Sequence, residues 1–96
     1  MAMEWYQEKK EVLDGNLRQK YRDLEPILKR MAPKRSVLDI GCNGGVVSML
    51  SAKYGASKVA GIDKRGYAID QANMGADAWA AKGLLKNRDI ISFKQF

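Results

Sequence analysis

Apolar positions along the chain fall into blocks whose spacing changes character near residue 36. Before that point the period is helical. Leu17, Tyr21, Leu24, Leu28 and Met31 recur at spacings of four, three, four and three, one apolar stripe on a helix over residues 17–31. Pro26 lies inside that stretch, so the helix is expected to kink there or to restart at Asp23 as N-cap, with Pro26 in its first turn. Residues 4–13 also have helix-forming composition, with Trp5, Val12 and Leu13 apolar, Glu8, Lys9, Lys10 and Glu11 able to pair locally, and Gly15 as a stop. Beyond the linker Ala32-Pro33-Lys34-Arg35 the blocks shorten. Val37-Leu38-Asp39-Ile40 is a short apolar run bounded by turn signals, as a buried parallel strand should be. A helix is predicted from about Gly44 or Gly45, with Val46, Val47, Leu50 and Tyr54 on one face and Gly55 as C-cap. A second strand, Lys58-Val59-Ala60-Gly61-Ile62, ends on Asp63. The turn Lys64-Arg65-Gly66 then opens a long helix from Tyr67 to about Lys82, whose buried face is marked by Ile69, Ala72, Ala76, Trp79 and Ala80, with Trp79 as core anchor and Gln71 and Asn73 exposed. Ile90 to Phe96 is β-rich and roughly alternating, a third strand.

Strands alternating with helices predict an α/β fold with a parallel sheet. In such sheets the ligand crevice lies beyond the carboxyl ends of the strands. Two features meet there. Gly41-Cys42-Asn43-Gly44-Gly45 places three glycines in five residues, which permits a sharp turn and a close approach of ligand to backbone. Asp63 follows some 20 residues later at the end of the neighbouring strand, where a carboxylate suits the two hydroxyls of a ribose. The pattern therefore points to a nucleoside-like ligand. It does not spell the dinucleotide fingerprint, because Asn43 and Val46 stand where glycines are needed. Asp39 also sets an anion close to the turn, which suits an ammonium or sulfonium better than a pyrophosphate. A dinucleotide, another ligand of this fold, or a glycine turn serving structure alone are the competing readings.

The segments VLDIGCNGG and VAGID resemble the first two motifs of the class I S-adenosylmethionine-dependent methyltransferases. The resemblance covers residues 36–70 well and the preceding helix loosely. It implies a partial Rossmann-like parallel sheet of three strands in spatial order 3-2-1, with residues 1–35 as a helical leader and residues 36–96 as the first half of the cofactor-binding domain. By the same resemblance the backbone around Gly41, Cys42, Asn43 and Gly44 lines the methionine part of S-adenosyl-L-methionine. Asp39 faces its amino group, Asp63 holds the ribose hydroxyls, and Lys64 matches the position that lies against the adenine. The leader of such proteins often closes over the methionine end, which makes Trp5, Tyr6, Tyr21 and Arg22 candidates to reach the cofactor, Arg22 through its carboxylate. Set against this, Tyr21 reads more readily as core and Arg22 as solvated. Cys42 lies near a helix N-terminus that could activate it as a nucleophile, but it has no base partner in sequence and reads as structural.

Composition narrows the partners. Ninety-six residues make at most one small domain, and 46% apolar content is that of a globular chain. A single cysteine excludes a disulfide framework, and no Cys/His spacing suggests a metal. The absence of a signal-like run or a membrane-length apolar stretch leads us to expect a cytoplasmic protein with no membrane partner. The net charge of +6 is spread evenly, nine basic and six acidic groups in residues 1–36 against eight and five in the rest, so it reads mainly as a solvated surface. The methyl acceptor is left open among small molecule, protein and RNA. No side chain is nominated as a catalytic base. The family's acceptor pocket and its adenine-binding acid would fall after Phe96. The expectation is accordingly the N-terminal part of a longer methyltransferase, inactive alone, or a short protein completed by a partner or by self-association through the exposed edge of the first strand. A non-catalytic cofactor-binding module and an NAD-type fragment are the alternatives.

Overall fold

The computed structural model describes residues 18–96, so the expected helix over residues 4–13, together with Trp5, Tyr6 and Leu17, lies outside the described part. Helix α1 (Gln19–Met31) leads into strand β1 (Ser36–Ile40), helix α2 (Val46–Lys53), strand β2 (Lys58–Asp63), helix α3 (Gly66–Ala81), a 3₁₀ turn (Arg88–Ile90) and strand β3 (Ile91–Gln95). The strands form one parallel sheet in the order β1-β2-β3, the expected 3-2-1 arrangement read from the other edge. Leu38 lies opposite Ala60 and Asp39 opposite Gly61, while Gly61 in turn lies opposite Phe93.

Side-chain alternation divides the sheet. Val59, Gly61 and Asp63 of β2 are buried, as is Ile91 of β3, on the face that α2 and α3 cover. Phe93 lies over Gly61 and Gly45. A Cβ on Gly61 would stand 2.7 Å from Phe93 Cδ1, and one on Gly45 would stand 2.8 Å from Phe93 Cζ and 2.9 Å from Ala72 Cβ. These glycines are therefore demanded by packing. Trp79, Met49, Leu50 and Val59 are fully buried at the centre, and truncating Trp79 to alanine should cost about 4 kcal/mol. Against the expectation of a buried strand, β1 is an edge strand with no fully buried residue. Its other face carries Leu38 and Ile40, 61% and 71% exposed, because no element of the described residues covers that face.

Several local expectations need correction. The first helix does not restart at Asp23 but runs from Gln19 to Met31 with Pro26 inside it. Proline removes the donor that the Arg22 carbonyl would use, and both residues lie on the exposed side, where water can satisfy that carbonyl. The apolar stripe of α1 is only partly covered: Tyr21 and Leu28 pack on the core, whereas Leu24 and Met31 are exposed. In α2 the buried positions are Val46, Ser48, Met49, Leu50 and Ser51, with Val47 and Tyr54 half-buried. A helix enclosed by the sheet and two other helices buries more than the one face that periodicity marks. Gln71 is buried, not exposed, because its side chain lies across Gly44, with Nε2 3.0 Å from where a Cβ would stand. Asn73 is half-buried and accepts a 2.8 Å hydrogen bond from Arg88, which also pairs with Asp77 and donates to the Ile91 carbonyl, tying α3 to the start of β3. The third strand starts one residue late, at Ile91, because Ile90 belongs to the 3₁₀ turn.

A candidate nucleoside site at the strand ends

The turn after β1 is docked onto the end of β2. The amides of Gly41 and Cys42 both donate to the Ile62 carbonyl, at 2.8 and 2.9 Å. Gly41 has φ +70°, a conformation that favours glycine, and a Cβ there would meet no atom within 4 Å. Of the glycines in this turn, Gly41 is the one that faces open space. Asn43 also adopts a left-handed conformation, φ +50°, which asparagine tolerates. That conformation aims its amide at β2, where it donates to Asp63 Oδ2 at 3.0 Å. Gly45 then caps α2 at φ +80°.

Asp63 is the centre of the site, only 3% exposed. Beyond the Asn43 amide it accepts hydrogen bonds from the Arg65 amide on Oδ1 (3.0 Å) and from the Arg65 guanidinium, Nε on Oδ1 (2.9 Å) and Nη2 on Oδ2 (3.0 Å). The guanidinium also donates to Asn43 Oδ1 and to the Tyr67 hydroxyl, and lies 5.4 Å from the centroid of the Tyr67 ring. The Arg65 side chain, followed by the Arg65 and Asn43 amides, holds the Asp63 carboxyl well below the usual carboxylate range, despite its burial. It is an anion at every physiological pH.

Asp39 sits one strand away in a different setting. It is half-buried, and its Oδ2 accepts a 2.8 Å hydrogen bond from Ser48 on α2. Burial pushes its pKa up, the Ser48 bonds oppose that, and Asp63 adds to it. Cys42 is buried, with its thiol pushed up to about 11 by burial and then by Asp39 and Asp63, which removes the nucleophile reading. Burial outweighs any help from the adjoining helix terminus.

The structure thus brings together Asp39, Gly41, Cys42, Asn43, Gly44 and Asp63. Lys64 and Arg22 stand apart, both exposed, with no hydrogen bond or ion pair from their side chains to this cluster among the described residues. Three participants were missed in sequence: Arg65, Ser48 and Gln71. Arg65 carried a signal, a cation two residues after a carboxylate at a strand end. Ser48 and Gln71 carried none, since each is defined by what packs against it.

Comparison with known proteins gives the family and the fold. The family profile of the ribosomal protein L11 methyltransferase (PrmA) matches residues 22–88. The ribosomal protein L11 methyltransferase of Alkaliphilus metalliredigens is 42% identical over 50 residues, which are 52% of this chain and 16% of that relative. The chain therefore spans about a sixth of the length of that curated relative. Among solved structures, the Trypanosoma brucei PRMT1 enzyme–prozyme heterotetrameric complex with AdoHcy superposes with a TM-score of 0.60 at 34% identity, covering 80% of this chain and 21% of that one. The ribosomal protein L11 methylase of Lactobacillus delbrueckii subsp. bulgaricus shares the fold, with a TM-score of 0.60 at 18% identity over 82% of this chain and 38% of that one. Matched over more than half its length, and built on the strand, turn and acid of the class I methyltransferases, the chain belongs to the ribosomal protein L11 methyltransferase (PrmA) family.

Proposed function

We propose that this chain is the cofactor-holding part of an S-adenosylmethionine-dependent methyltransferase whose acceptor is a protein, of the ribosomal kind named for its relatives. The observation that carries this reading is the 3.0 Å bond between the Asn43 amide and Asp63, which unites the open turn and a buried, ionised carboxylate at adjoining strand ends. The residues fit the cofactor: Gly41 leaves room beside the backbone, Asp63 is an anionic acceptor for a ribose diol, and Asp39 places a second carboxyl beside the turn. Residues 36–96 are then the cofactor half and residues 1–35 its leader, joined through Ala32, which is buried in the shared core.

The bound cofactor supplies an already activated methyl on a sulfonium, so the protein's work is positioning, which can account for about 7 to 11 kcal/mol of a transfer barrier. Here Asp63 fixes the ribose and the turn from Gly41 to Gly44 orients the methionine arm. Lys64, beside the adenine, and Arg22, on the cofactor's carboxylate, are exposed side chains that would complete the site. The uncovered edge of β1, with Leu38 and Ile40, would accept a further strand or a second copy. We place this activity in the cytoplasm, where a lone reduced cysteine is ordinary and where ribosomal proteins are found. No helix among the described residues is long and apolar enough to cross a membrane.

Calorimetry on the full-length protein with S-adenosylhomocysteine and with NADH tests the cofactor: binding of the first and not the second is expected, and the reverse refutes the reading. Transfer of labelled methyl from S-adenosylmethionine to ribosomal protein L11 tests the acceptor. Cofactor binding without transfer to any protein would make this a non-catalytic module.

A further inference from the structure

We propose that Arg65 sets the cofactor affinity of this site, by holding the Asp63 carboxylate in the ligand-free chain and giving it up to the ribose diol on binding. This rests on the cofactor reading above and adds a residue to it. A carboxylate offers about four acceptor positions. At Asp63 four donors already fill them: the amides of Asn43 and Arg65, and Nε and Nη2 of Arg65. A vicinal diol needs two of those places. The two amides cannot yield, because one belongs to the turn docked on Ile62 and the other to the residue that caps α3. The guanidinium can.

Its fork sets one N–H on each carboxylate oxygen, the same two-point arrangement a diol would make. The Arg65 side chain is 45% exposed, and its guanidinium is held by Asp63, Asn43 and Tyr67 at the surface of the site. It also has a place to go. Tyr67, 55% exposed, already receives an Arg65 Nη1 hydrogen bond at 3.2 Å and offers its ring face at 5.4 Å. Guanidinium and diol therefore compete for one carboxylate, and the apparent affinity falls by the fraction of molecules in which Arg65 covers it.

The test titrates S-adenosylhomocysteine into the full-length wild type, R65Q and R65K, and follows the Arg65 Nε–H signal of the wild type by NMR. R65Q is expected to bind roughly fivefold tighter, the scale of a partly exposed ion pair. R65K keeps the charge without the fork and should fall between R65Q and wild type. The Nε–H signal should shift as the wild type saturates. A residue that merely braced Asp63 would give the opposite, weaker binding in R65Q. Weaker or unchanged binding in R65Q and R65K, or an Nε–H signal unmoved at saturation, overturns the exchange while leaving the cofactor reading in place. No binding by wild type or by either variant overturns both.

Discussion

Asp39, next to last in β1, and Asp63, at the end of β2, lie beside the same glycine turn, yet the protein treats their charges in opposite ways. Asp63 is almost completely buried and is the better anion, because two backbone amides and a guanidinium replace the water it has lost. Asp39 is more exposed yet is the poorer anion, because burial raises its pKa, only the hydroxyl and the backbone of Ser48 oppose that, and Asp63 repels it. Depth of burial alone does not decide the charge state here. The donors that the turn and the strand end supply decide it.

The largest break in this contrast should come from Asp63→Asn. An amide nitrogen would then face donors, and the half-exposed Arg65 would lose its counter-ion, so chemical denaturation should show about 2 kcal/mol less stability. Binding of S-adenosylhomocysteine should be lost in the same variant. A loss below 1 kcal/mol would mean that the four hydrogen bonds do not hold the fold together.

Acid titration sharpens the contrast next. The unfolded value for aspartate is near 3.9. Asp63 lies below it in the folded chain, so its contribution is fully present above about pH 4 and is lost as pH falls toward the native value. Asp39 has the opposite sign: its native pKa is raised, so its contribution is present below about pH 3.9 and is lost as pH rises through that raised value. Stability measured between pH 5 and pH 2.5, roughly the range below and around these values, should therefore fall steeply in the wild type and less steeply in Asp63→Asn. Equal slopes would remove Asp63 as the source.

Smaller effects belong to the Asp39 side. Ser48→Ala deletes its hydroxyl partner and should cost about 1 kcal/mol while raising the Asp39 pKa further, which NMR titration of the carboxyl carbon would read. Asp39→Asn should leave stability within about 1 kcal/mol of wild type, since a group held above its usual pKa gains little from its charge. A loss as large as that of Asp63→Asn would erase the distinction between the two acids. Smallest of all is the response of Cys42. With its thiol at about 11, alkylation by iodoacetamide at pH 8 should be slow in the native protein and should accelerate on unfolding.

The faces of the sheet repeat the lesson at larger scale. On the helix-covered side Phe93, Gly45, Gly61 and Ala72 meet so closely that a single added methyl would collide. On the other side Leu38 and Ile40 are open. Phe93, Gly61, Leu38 and Ile40 were all visible as apolar or small residues in strands, but period-two alternation says only that faces differ. It does not say which is covered.

Where a feature depends on local chemistry, the linear chain was sufficient. The strand–turn–helix–strand order, the glycines that bend the backbone after β1, and a carboxylate closing β2 all follow from short-range sterics and periodicity, and they were enough to place Asp63 beside the turn. Contacts between elements distant in the chain were settled only by folding. That Arg65 and not water covers Asp63, that Ser48 is the partner of Asp39, that Gln71 lies under Gly44 and that α1 runs through Pro26 each depend on which surfaces come to face one another. Neither propensity nor spacing encodes those pairings, because the energy that selects them is that of packing and hydrogen bonding in the assembled sheet and helices.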